Sequence, residues 1–151
     1  MAEALGVGAA LWSPLGGGLL TGKYRSGDEG RLLGYKPLVH TEDGTRKTAI
    51  VDAVLQAAGD IAISPAQVAV AWLLERARRS PTGVVPITGP RITAQLDSYL
   101  GALSVDLGDA VFGRLEEVSR IDLGQPYDLP AGERPLGGDA SGFLTHPVPT
   151  A

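Results

Sequence analysis

The chain has 151 residues, 44% hydrophobic and 20% charged, the figures of one globular domain with a real core. Its 13 basic and 17 acidic residues give a formal net charge of −4 with no long basic run, which argues against a nucleic-acid or anionic-membrane partner. There is no cysteine, which excludes disulfides and thiolate metal sites, and His40 and His146 stand too far apart to suggest a metal centre.

In chain order, Ala2 to Leu5 reads as the end of a helix stopped by Gly6. Val7 to Trp12 has almost no polar residue and reads as a strand buried on both faces, as in parallel sheets. Pro14 lacks a donor and drives Ser13 out of the right-handed α region, so the strand ends there. A loop follows with four glycines in the seven residues from Gly16 to Gly22, then Lys23 and Tyr24. Residues 25–44 read as a long excursion without regular structure. Thr45 to Ala58 has helical periodicity through Ile50, Val51, Val54, Leu55 and Ala58, with Gly59 placed as its C-terminal glycine.

Ser64-Pro65-Ala66-Gln67 is a capping-box opening for a second helix, whose first turns from Val68 to Leu74 are apolar on every side. Glu75 and Arg79, four residues apart, mark its wetter end. Val84-Val85-Pro86-Ile87 reads as a second short strand, with Pro86 expected at an edge or at the strand's end. A helix from about Thr93 is expected to turn Leu96, Leu100 and Leu103 inward. A last helix, roughly Asp109 to Arg120, should bury Val111, Phe112, Leu115 and Val118. Residues 124–151 are rich in Gly, Pro and Asp and read as a loosely held tail. No long apolar run or basic-then-apolar start is present, so a cytoplasmic protein without a membrane span is expected.

Two phosphate-binding designs fit the glycine-rich loop. Gly17 to Tyr24 matches G-x-x-x-x-G-K, but Tyr24 stands where a Mg²⁺-ligating Ser or Thr is required, and Arg25 to Gly30 opens a helix poorly. In the other design, loops after neighbouring parallel strands open on one face of a barrel and hold phosphate together. Here those loops are Trp12 to Lys23 and Thr88 to Arg91. The element order is one βαβ unit with additions, expected to cross over right-handed in a doubly wound or barrel fold.

The residues carry a resemblance. Trp12-Ser13-Pro14-Leu15 with the run to Gly22-Lys23-Tyr24 resembles the seventh-strand segment of the aldo-keto reductases. Ser64 to Leu73 is similar to that family's seventh helix, and Pro86 to Arg91 with Gln95-Leu96 and Leu100 to Leu103 to its eighth strand and cofactor helix. The match spans roughly residues 3–128, with the motifs in order. It implies an α/β fold over residues 1–123, a partial (β/α)8 TIM barrel with roughly its last two strands and their helices.

The resemblance further implies NADP(H). Trp12 would stack on the nicotinamide, while Ser13, Pro14 and Leu15, with Gly16, Gly18 and Lys23, would fold over the pyrophosphate. Gly89, Arg91 and Gln95 would hold the adenosine end. A guanidinium there gives charge-assisted, bidentate bonds to a 2′-phosphate, which favours NADP over NAD. Ser98 and Tyr99 stand where the family usually has Glu and Asn, and Pro90 removes one donor from the phosphate loop.

Family members reduce carbonyls with a tyrosine acid supported by lysine, histidine and aspartate, drawn from the first half of the barrel. Tyr24, Tyr35, Tyr99 and Tyr127 do not match that tyrosine, so no catalytic residue carries over. A complete barrel takes about 250 residues. The expectation is a C-terminal portion, inactive alone, that self-associates or pairs with a complementing N-terminal chain and meets a carbonyl substrate only then. A non-catalytic nucleotide-binding or interaction module is the rival.

Overall fold

The computed structural model describes residues 2, 5–26, 41–122 and 124. His40, His146, Tyr35, Tyr127 and the expected tail from residue 125 onward lie outside them, as do Glu3, Ala4 and most of the long excursion. Two parallel strands, β1 (Ala9–Trp12) and β2 (Val84–Ile87), flank α1 (Thr45–Asp60) and α2 (Pro65–Arg79), and α3 (Thr93–Gly101) and α4 (Gly108–Ser119) follow. This is an α/β unit with more helix than sheet.

The core lies between helices. Ala53, Val54, Ala57 and Ala58 of α1 pack with Val68 and Ala71 of α2 and with Leu107 and Leu115 at α4. Small alanines let the helices approach closely, and the Trp72 and Phe112 rings, 6.4 Å apart, close the α2–α4 side. The capping box is complete: Ser64 Oγ accepts from Gln67 N at 3.2 Å and Gln67 Oε1 from Ser64 N at 3.0 Å. Glu75 accepts from Arg79 at 2.8 Å, as the i,i+4 spacing predicts, and from Arg78 at 2.9 Å. Those bonds, Arg79's first, hold the Glu75 carboxyl below its usual range.

The strands pair in the register Ala9↔Val84 to Trp12↔Ile87. Burial alternates along both, so Ala9, Leu11, Val84 and Pro86 form a half-buried face, and Ala10, Trp12, Val85 and Ile87 an open one. The expectation of strands buried on both faces is therefore corrected. Helix α2 packs against β2, and among the described residues nothing covers the open face. Pro86 is accommodated because each strand of a two-stranded sheet is an edge.

Two helical expectations also change. Leu96, Leu100 and Leu103 are not inward but 42%, 53% and 56% exposed. Among the described elements, helix α3 meets only α2 and the turn that follows it, through its small polar side. There Ser98 Oγ lies 3.1 Å from Ser64 Oγ, and Gly101 leaves room for Gln67. Helix α1 runs through Gly59 to Asp60, and the left-handed residue beyond its end is Ala62 (φ 54). Gly6, with φ 65, does end a turn in which Val7 N donates to Ala2 O at 3.0 Å.

Candidate functional site

After β1 the chain turns sharply. Ser13 takes φ 59, a left-handed conformation that disfavours a side chain, immediately before Pro14. Its Oγ accepts from Gly17 N at 3.1 Å, which stitches the turn to the loop beyond. Gly16, Gly17 and Gly18 then follow one another at φ 57, 65 and 100, a path that glycine takes without steric cost. Thr21 Oγ1 donates to Gly18 O at 2.7 Å and Tyr24 Oη to Gly17 O at 2.7 Å, so the loop's carbonyls are tied inward. Leu19 seats the loop in the core, and Arg25 at its end is clasped by Glu42 and by Asp52 of α1.

The loop after β2 is closed by its own side chain. Arg91 N donates to Gln95 Oε1 at 2.8 Å, which fixes the turn into α3 and keeps the Gln95 amide at the cleft wall. The guanidinium of Arg91 is exposed, and among the described residues it has no ion-pair partner, unlike Arg25, Arg76 or Arg79.

Because the strands are parallel neighbours, both loops open at the same end of the sheet, on one cleft of about 460 Å³. Trp12, Ser13, Pro14, Leu15, Gly18 and Lys23 line it from the first loop, and Gly89, Arg91 and Gln95 from the second. Gly16 does not reach its wall, and the adjacent Gly17 does. The first turn of α2, Ser64 to Ala66, also faces the cleft with the positive end of the helix dipole, as do Ser98 and Tyr99. The capping-box motif located that helix start, but only the tertiary crossover brings it to the ligand loops.

Among the described residues, the lining holds two cations, Lys23 and Arg91, and no carboxylate, in a chain whose net charge is −4. That arrangement suits an elongated polyanion. Trp12 stands at the strand end, 77% exposed, as a flat apolar platform. A second recess, about 490 Å³ and slightly larger, differs in character. Its Arg78 and Arg79 are consumed by Glu75 and Asp109, and Arg79 also covers the Phe112 ring at 4.2 Å. It is a seam between α2 and α4 whose cations are already paired, with the carboxylate of Asp106 as its remaining charge.

The aldo/keto reductase family model matches residues 1–120. The chain belongs to the aldo/keto reductase family. It is 32% identical over 128 residues to an NADP(+) aldo-keto reductase, yakc, of Schizosaccharomyces pombe, covering 82% of this chain and 36% of that protein. It is 33% identical over 126 residues to the aldo-keto reductase str7 of Strobilurus tenacellus, covering 80% and 36%. With an uncharacterized oxidoreductase of Mycobacterium tuberculosis strain H37Rv it shares 36% identity over 112 residues, covering 72% and 32%. The chain thus spans about a third of the length of the curated relatives it matches.

For an aldo/keto reductase, the cleft explains the departure at Ser98: its hydroxyl is engaged with Ser64, so it braces α3 on α2 and has less to offer a ligand. The P-loop alternative lacks its helix. Lys23 opens a 3-10 turn of four residues, Lys23–Ser26, where that design needs an α-helix, and the Tyr24 hydroxyl is turned onto Gly17 O. No group of three or more metal-ligating side chains occurs among the described residues, and no single helix there is long and apolar enough to cross a membrane.

Proposed function

We propose that this chain is the NADP(H)-binding portion of an oxidoreductase that reduces aldehydes or ketones, with a partial (β/α)8 barrel as its frame. The observation that carries the reading is a cleft whose described residues bring two unlike cations, no carboxylate and an open indole, built from loops at one end of a parallel sheet. Lys23 and the α2 N-terminus supply positive potential for a diphosphate, and Arg91 a fork for a 2′-phosphate. Trp12 supplies a face for the nicotinamide. The bound cofactor would furnish the hydride. The residues of this chain bind and orient it, and none of those in the cleft is assigned as the general acid.

Tryptophan fluorescence tests the reading. NADPH is expected to quench the emission of Trp12, and Trp12→Phe to abolish the response. Trp72→Phe should preserve it, because Trp72 is stacked on Phe112 within the helical layer. A silent titration, or equal responses to NADPH and NADH, counts against the assignment.

Carbonyl reduction requires further barrel strands, and in this reading a covering polypeptide supplies them, either a complementing N-terminal chain or, failing that, a second copy. The open face of Trp12, Val85 and Ile87 and the leucines of α3 support it, since parallel sheets are normally covered on both sides. Light scattering of the purified chain is expected to give a mass above its 15.6 kDa. A sharp monomer would show that the open face needs no cover. A cytoplasmic location belongs to the same proposal and is checked by cell fractionation.

A further inference from the structure

Tyr24 occupies the position at which the G-x-x-x-x-G-K pattern calls for a hydroxyl residue, and it does not line the cleft. Its ring lies 5.1 Å from the Lys23 ammonium, measured to the ring centroid. Its hydroxyl donates to Gly17 O at 2.7 Å, pinning the glycine path from behind. The space above Gly18 is filled by the lysine: a Cβ at residue 18 would fall 2.6 Å from Lys23 Cε, 2.9 Å from Nζ and 3.3 Å from Tyr24 Oη. So the lysine crosses directly over a bare Cα, backed by the aromatic ring of its own neighbour.

We propose that Tyr24 is a positioning residue for the cofactor's diphosphate, seating the Lys23 ammonium across Gly18 on the cleft wall. The inference rests on the cofactor reading above. A free lysine side chain has several rotatable bonds, and ordering it on binding opposes affinity. A cation already held on an aromatic face above a fixed loop avoids part of that loss. Gly18 is needed twice, for its φ of 100 and for the room the lysine uses. Lys23 touches the ligand. The Tyr24 ring acts through Lys23, and its hydroxyl through the loop carbonyl it pins.

The test compares NADPH with adenosine 2′-monophosphate, which offers Arg91 its phosphate and lacks the diphosphate. Binding is followed by calorimetry on the full chain. Tyr24→Leu is expected to weaken NADPH about fivefold, the scale of one cation–π contact, and to leave adenosine 2′-monophosphate unchanged. Tyr24→Phe, which keeps the ring, should retain most of the affinity and guards against a leucine variant that folds poorly. In a Lys23→Ala background, Tyr24→Leu and Tyr24→Phe, which both lack the hydroxyl, should bind NADPH equally. Equal weakening of both ligands, or an undiminished effect without the lysine, would overturn the proposal. Wild type binding neither ligand would instead bring down the cofactor reading itself.

Discussion

Replacing Arg91 by alanine is expected to weaken NADPH by roughly 10- to 100-fold and to leave NADH unchanged within about twofold, the scale of charge-assisted bonds to one phosphate. The residue suits such a measurement because its two roles are separable. The loop into α3 is held by the backbone of Arg91, whose N–H donates to Gln95 Oε1, and not by its side chain. Truncation therefore removes the guanidinium and keeps the loop. The side chain is exposed and makes no ion pair among the described residues, so its loss leaves no charged partner unsatisfied among them. Arg91→Lys should recover only part of the difference, since an ammonium lacks the planar fork that matches a phosphate. The check is a pair of fluorescence titrations, NADPH and NADH, on wild type and both variants. An equal fall for the two cofactors would mean that Arg91 shapes the cleft and does not read the 2′-phosphate.

How much of this was legible beforehand depends on the range of the interaction concerned. The capping box at Ser64 and Gln67 is a contact between neighbours in sequence, and both of its bonds are present. The same holds for Glu75 with Arg79, and for the two β-strands, whose cores of apolar residues end at Pro14 and at Gly89. The stripe Leu96, Leu100, Leu103 is just as regular, yet it lies open. Periodicity reports that a helix has an apolar side; it does not report what will cover it, and here α3 meets α2 through Ser98 and Gly101.

Local geometry defeated the reading in a second way. Gly59 has the right residue type for a helix end, but α1 continues past it and Ala62 takes the left-handed turn, held by Ile63 N donating to Ala58 O at 3.1 Å. Likewise Gly16 and Gly17 cannot be told apart in a run of three glycines. Which of them faces the cleft follows from the bonds of Ser13 Oγ and Tyr24 Oη to Gly17. Ser98 was readable as a departure from the family's pattern, while its engagement with Ser64, thirty-four positions away, was not.

The contrast between the buried helical layer and the open sheet makes the last expectation. Val68→Asp should abolish the cooperative thermal transition followed by far-UV circular dichroism. Val68 is fully buried among Val54, Ala57 and Ala71, and no cationic side chain belongs to that cluster. An unpaired carboxylate there has to be buried at a cost of several kcal/mol or drawn out by unfolding, against a total stability of about 5–15 kcal/mol. Val85→Asp places the same group on the open face of β2, where Val85 is 62% exposed and water remains available. That variant should melt within about 2 °C of wild type, as surface changes do. It should also aggregate less, because it interrupts the apolar patch shared with Trp12 and Ile87. If Val85→Asp also lost its cooperative transition at dilutions where the wild type is a monomer, the chain itself would cover the sheet face, and the argument for a covering polypeptide would fall with it.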